Sequence, residues 1–132
     1  MRLFIGIIFL SIFLNAHINE AVLYSFEKKC MICHNTYKKN KIAPPLVAVN
    51  QVYLRLYDEN MSLAMNKMKI FLANPTEKKV LLKPAFKLFG LMPKLDLNAT
   101  EVNDFSQVLI ETEFEIPDWF NAHYKSHDLN KS

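Results

Sequence analysis

Cys30-Met31-Ile32-Cys33-His34 sets two thiols three residues apart and puts an imidazole directly after the second. On a helical turn, residues three apart lie on one face. Each sulfur can therefore add to one vinyl group of a single porphyrin, while the following residue turns a ring nitrogen toward the metal. The spacing reads as covalent haem attachment, with Cys30 and Cys33 as the thioether sites and His34 as the proximal iron ligand. Three other chemistries use neighbouring thiols: a redox dithiol, half of a zinc site and a structural disulfide. Zinc is the poorest match, because these are the only two cysteines and no second ligand pair with fingerlike spacing follows. An oxidoreductase dithiol needs a strand before the motif inside a βαβ pattern, and the residues before Cys30 read helical instead.

That helix is expected over Asn19 to Cys33, where Val22, Phe26 and Lys29-Cys30 recur at intervals of three and four with no Pro or Gly to interrupt. Phe26 stands one turn before Cys30, on the side of the first thiol. Asn35 to Lys41 is a polar, basic loop whose continuation, Ala43-Pro44-Pro45-Leu46, is stiffened by two prolines. A second helix is expected over Asn50 to Tyr57, broken by Asp58-Glu59-Asn60. Met61 to Ala73 predicts an amphipathic helix with Met61, Met65, Met68 and Leu72 along its apolar stripe, stopping at Asn74-Pro75. Thr76 to Phe89 is basic and contains Pro84, so no more than a short helical turn is expected there. In Gly90-Leu91-Met92-Pro93 a freely turning residue precedes a methionine locked by the next proline. Asn98, with Glu101 three residues on, predicts a capping box that opens a last helix. Val102, Phe105, Val108, Leu109 and Thr112 would face inward, and the helix would end near Glu115 because Pro117 cannot continue it.

The chain of 132 residues has the length of a single domain. It opens with Met1-Arg2, the apolar run Leu3 to Leu14, and Asn15-Ala16, which reads as a secretory signal because a spanning helix needs about 20 apolar residues. Cleavage is expected after Ala16; a later cut after Ala21 or a retained anchor stays open. Three parts follow from this: a signal at 1–16, a domain at 17–116 and a C-terminal extension at 117–132. Charge divides the exported part. From Lys28 to Lys94 there are thirteen basic residues against Asp58, Glu59 and Glu77, and from Leu95 onward two basic against eight acidic. Such a dipole is either a pair of solvated faces or a basic surface that orients on an acidic partner. No basic tract interleaved with aromatics appears, so nucleic-acid binding is not expected.

The order of these segments resembles the monohaem class I cytochromes c, small exported or intermembrane electron carriers. The likeness runs from about Ala21 to Glu115. It comprises an N-terminal helix ending in C-x-x-C-H, a Pro-Leu segment after a basic loop and a helix ending in Leu72-Ala73-Asn74-Pro75. Gly-Leu-Met-Pro and a last helix begun by a capping box complete it. The resemblance implies an all-α fold, a small cytochrome c-like haem domain of three to five helices, with one covalent haem c per chain. It implies that Cys30 and Cys33 hold the haem, that His34 ligates its iron and that Met92 is the axial thioether opposite. Pro44 resembles the proline whose carbonyl accepts the other imidazole N–H, with adjacent Pro45 as its rival. Phe26 resembles the aromatic where the first helix crosses the last, although Val22 stands where a smaller residue is usual.

Of the methionines, Met61, Met65 and Met68 sit at helical intervals and read as core filler, and Met31 lies on the wrong side of the motif. Met92 stands in a loop, so core filling does not account for it. His123 or His127 could instead give a bis-histidine iron, but both lie in the tail, beyond the matched region. With both axial positions filled, the iron has no vacant site for substrate, so an electron carrier rather than an enzyme is expected. The expected place is the periplasm or another exported compartment, and the expected partner an acidic-surfaced oxidase, peroxidase or reductase. Membrane contact is expected only if the N-terminal segment is retained. Two alternatives stand beside this: a haem subunit of a larger respiratory enzyme with the aromatic tail as docking element, and a haem-free thiol-disulfide oxidoreductase.

Overall fold

A computed structural model describes residues 18–35 and 37–121; the expected signal segment, His123 and His127 lie outside the described residues. The described chain is all-helical. It comprises α1 (Glu20–Phe26), which continues as a π-helical turn over Glu27–Met31, α2 (Leu46–Leu56), α3 (Met61–Ala73), a 3-10 turn at Glu77–Lys79, α4 (Lys83–Phe89) and α5 (Ala99–Glu111).

Helix α5 is the hub, packing against α1, α2 and above all α3. Its start is set locally: the Asn98 side chain accepts the Glu101 N–H while Glu101 reaches back to the Asn98 N–H. Reciprocal bonds of this kind satisfy two donors that the helix itself cannot. Phe105, Val108, Leu109 and Ile110 are buried on its inner face. The Phe105 ring meets Phe26 edge-on, with centroids 5.4 Å apart and planes at 89°. This fixes the crossing of α1 over α5. Val22 is half-buried beside it.

Four sequence expectations change. The second helix begins at Leu46, because Pro45 holds an extended conformation and its carbonyl accepts the N–H groups of Ala48 and Val49. On α3 the buried face is Ala64, Met68 and Leu72; Met65 is half-buried and Met61 is 46% exposed. Ala64, with no exposed surface, lets α3 and α5 approach closely, and that rotates the methionine stripe partly outward. A full helix, α4, occupies part of the stretch expected to hold only a turn. Pro84 falls in its first turn, where a missing N–H costs nothing, so it starts the helix rather than breaking it. Finally, α5 stops at Glu111, and Thr112 is already extended. The Asn50 amide donates to the carbonyls of Leu109 and Ile110 at 2.9 and 3.1 Å, tying this end of α5 to α2.

The tail turns back onto the domain. Phe120, 2% exposed, packs with Val47, Ala48 and Phe114 in a second small core.

Asn98→Ala removes the acceptor for the Glu101 N–H and weakens the capping box at the hub helix. We expect a loss of about 1 kcal/mol, read as a lower urea midpoint with an unchanged slope.

Candidate functional site

The π-helical turn delivers the two thiols unequally. The N–H of His34 closes on the Cys30 carbonyl at 3.0 Å and that of Cys33 on the same carbonyl at 3.3 Å, so the motif ends in a tight turn. Cys30 is buried, 6% exposed, and Cys33 is exposed; both are free thiols. Burial pushes the Cys30 thiol up to about 12, reinforced by the neighbouring Cys33 and only partly offset by Lys29. Sequence spacing alone treats the two sulfurs as equivalent, and the fold does not.

His34 is held by a single well-placed contact. Its Nδ1 lies 2.7 Å from the Pro44 carbonyl oxygen. Burial lowers the imidazole pKa, and the Pro44 carbonyl pulls the other way. The net shift is downward, so the ring is neutral at pH 7. A neutral ring that donates Nδ1–H to a carbonyl keeps its lone pair on Nε2, the form that binds a metal. The two prolines are thereby told apart: the Pro44 oxygen faces His34, while the Pro45 oxygen opens α2.

Cys30, Cys33 and His34 line one largely apolar cavity of about 310 Å³, and Met92 lines it as well. That volume lies at the low end of the roughly 300–1,000 Å³ common for small-molecule and cofactor sites. Met92 is half-buried and reaches the cavity from the loop after α4. Gly90 ends α4 with φ +81°, and a Cβ there would meet nothing within 4 Å, so its need is backbone freedom and not space. Pro44 lines the same cavity. Every candidate site residue named from the sequence is thus gathered at one place.

Other wall residues were not anticipated. Ala85, Phe86 and Phe89 come from α4, which the sequence does not announce because a proline, Pro84, stands in its first turn. Tyr53 comes from α2; burial, with Tyr57 nearby, raises its phenol pKa, so it brings a hydroxyl that stays protonated to a mostly apolar wall. Only its place in a helix of mixed periodicity could have flagged it. Met68 is buried and also lines the cavity, so one of the presumed filler methionines borders the site.

Charges sit outside. Lys29 at the rim pairs with Glu101 at 2.6 Å and also donates to the Asp96 carbonyl at 3.3 Å. The Lys29 ammonium, followed by the Asn98 N–H, holds the Glu101 carboxyl below its ordinary value. Among the described residues, no group of three or more His, Cys, Asp or Glu could hold a metal ion by itself, so a zinc site has no ligand set there. No helix among them is long and apolar enough to cross a membrane.

Comparison with protein-family profiles, with curated proteins and with solved structures finds no match to this chain.

The unequal burial of the thiols is directly measurable. In the cofactor-free, folded chain at pH 7.5, iodoacetamide should alkylate Cys33 well before Cys30, because the thiolate is the reacting form. Peptide mass spectrometry over a time course checks this; equal rates would mean Cys30 is not buried.

Proposed function

We propose that the chain is an exported electron carrier that binds one haem c covalently in the cavity between α2, α4 and the Cys30 to His34 turn. The observation that supports it is the meeting of four groups at one apolar cavity: the two thiols, the neutral His34 imidazole and the Met92 thioether. Two free sulfurs are what thioether attachment consumes. An imidazole fixed through Nδ1 and a neutral sulfur form a ligand pair suited to iron. The donor set fits the group. Bound there, haem would supply a one-electron iron couple.

The chain's own residues do the rest. Cys30 and Cys33 hold the ligand to the polypeptide, His34 and Met92 bind the metal, and Pro44 keeps the imidazole turned. Phe71, Leu72, Phe86 and Leu109 exclude water from the walls. A dry site strengthens electrostatic control and keeps small molecules from the metal. The basic residues between Lys28 and Lys94 favour a partner of acidic surface, such as an oxidase, peroxidase or reductase. In the described part of the tail Phe120 is buried in this chain's own core and Trp119 stays exposed, so for the larger-enzyme reading only Trp119 among these two could serve as a docking aromatic. A thiol-disulfide oxidoreductase is disfavoured by the buried first cysteine, whose thiol is pushed up rather than down. Cleavage after Ala16 suits the fold better than after Ala21, because the Asn19 side chain caps α1 by accepting the Ala21 N–H.

Two experiments test the reading. Denaturing gel electrophoresis with haem staining of the exported protein should show colour comigrating with the polypeptide; stain that runs free sinks covalent attachment. Replacing Met92 with Ala should let the reduced protein bind carbon monoxide, which the parent resists, whereas Met61→Leu and Met65→Leu should behave as parent. A parent that already binds carbon monoxide would overturn the carrier assignment in favour of ligand-binding or peroxidase chemistry.

A further inference from the structure

The segment after α5 lies against the loop that carries Pro44. Tyr37, at the start of that loop, donates its hydroxyl to the Glu115 carboxylate. Lys41, three residues before Pro44, places its ammonium 4.3 Å from the centroid of the Trp119 ring. Trp119 stacks edge-on with Phe120, centroids 5.8 Å apart, and Phe120 is buried against Val47 and Ala48 just beyond Pro45. On the other side, Lys38 donates to the Ile32 carbonyl within the cysteine motif at 3.0 Å, and the Lys41 ammonium also reaches the Lys38 carbonyl at 3.4 Å.

The loop is therefore pinned at Tyr37, at Lys41 and at the start of α2, and Pro44 lies between the last two points. Two of its lysines, Lys38 and Lys41, are engaged in these surface contacts. Little within the loop itself would hold the Pro44 carbonyl in place, since residues 37–45 are neither helix nor strand.

We infer that Trp119 and Phe120 are positioning residues for His34, a strap that acts through Lys41 and the 37–45 loop to keep the Pro44 carbonyl on the imidazole. This deepens the reading in which His34 is the ligand, and it assigns a task to an extension that the resemblance leaves unexplained. The strap touches neither the cavity nor the metal-binding groups. Its effect passes through one hydrogen bond, which sets ring orientation and the basicity of Nε2. A tail that merely buries Phe120 would add stability and leave the imidazole unchanged.

The test uses the full-length protein uniformly labelled with ¹⁵N, in Trp119→Leu, Trp119→Phe, Lys41→Met and Lys41→Arg forms. The readouts are solvent exchange of the His34 ring N–H and of the amides of residues 37–43. Losing a surface cation–π contact corresponds to about two- to fivefold in an opening equilibrium, so ring and loop exchange should both quicken by that factor in Trp119→Leu and Lys41→Met. Phe at 119 and Arg at 41 keep the contact and should restore parental rates. In samples that stain for covalent haem, the reduction potential should rise in Trp119→Leu, which changes no charge, because a less basic imidazole stabilises the oxidised iron less.

A ring proton that exchanges at the parental rate while the loop quickens would overturn the inference and leave a purely structural tail. So would parental rates throughout, or a potential that stays parental. If Trp119→Leu does not fold, Lys41→Met removes the same contact from the loop side and decides alone. Absence of covalent stain would defeat the cofactor reading, while the exchange data would still decide the strap.

Discussion

A single hydrogen bond, from His34 Nδ1–H to the Pro44 carbonyl, does for this site what no stretch of regular structure does. An imidazole at the end of a turn has two rotatable bonds and two tautomers. The carbonyl removes most of that freedom at once, by giving the proton to Nδ1 and leaving Nε2 unprotonated. Burial disfavours the charged ring and so reinforces the same state. A proline is well chosen as the acceptor's owner. Its own φ is fixed, and Pro45 after it holds Pro44 away from the helical region, so the carbonyl direction is set by two locked residues in series.

The other constraint is α5, on which three helices pack. Phe26 ties α1, and with it the cysteine motif, to Phe105; Ala64 lets α3 close on the same surface; Asn50 ties α2 to the far end of α5. The thiols and Pro44 therefore reach the cavity from segments anchored to one helix. The Lys29–Glu101 pair adds a second tie between the motif and the start of α5. It is partly exposed on both sides, so its energetic contribution is small and its use is to set direction.

Much of this was readable in the residues because the signals were short-range. Cys-x-x-Cys-His, the Asn98–Glu101 cap and the Met61 start of α3 after the Asp58-Glu59-Asn60 break each depend on neighbours within four positions, and each appears where local chemistry puts it. What escaped depended on distant partners. Leu46 to Val49 forms helix because Leu46, Val47 and Ala48 are buried by other segments; α4 is the exception, a local signal in which Pro84 sits in the first turn and starts the helix. The face of α3 shifted because Ala64, a small residue with no amphipathic weight, decides how near α5 can come. Phe120 gave no signal at all, since nothing in its own segment shows that Val47 and Ala48 lie waiting seventy-odd positions earlier. The strap belongs to the same class of long-range fact.

The two sides of the cavity differ in how firmly they are held. The His34 side rests on α1 and α5, whose contact residues Phe26, Phe105 and Val108 are at most 3% exposed. The Met92 side rests on α4, a seven-residue helix without a buried residue and with Leu88 75% exposed, followed by a glycine in the left-handed region. Local opening follows the density of buried contacts, so α4 and the Met92 loop belong to the low-stability end of the molecule. Roughly 60 residues separate His34 from Met92, and closing a flexible loop of that length costs ~3.6 kcal/mol. A thioether is a weak ligand and cannot supply that by itself. The α3 to α4 scaffold must close the loop beforehand, and what remains adjustable is the short piece from Gly90 to Pro93. Under the proposed function, the second ligand is therefore the part of the site that yields first, well before the helices around α5 come apart.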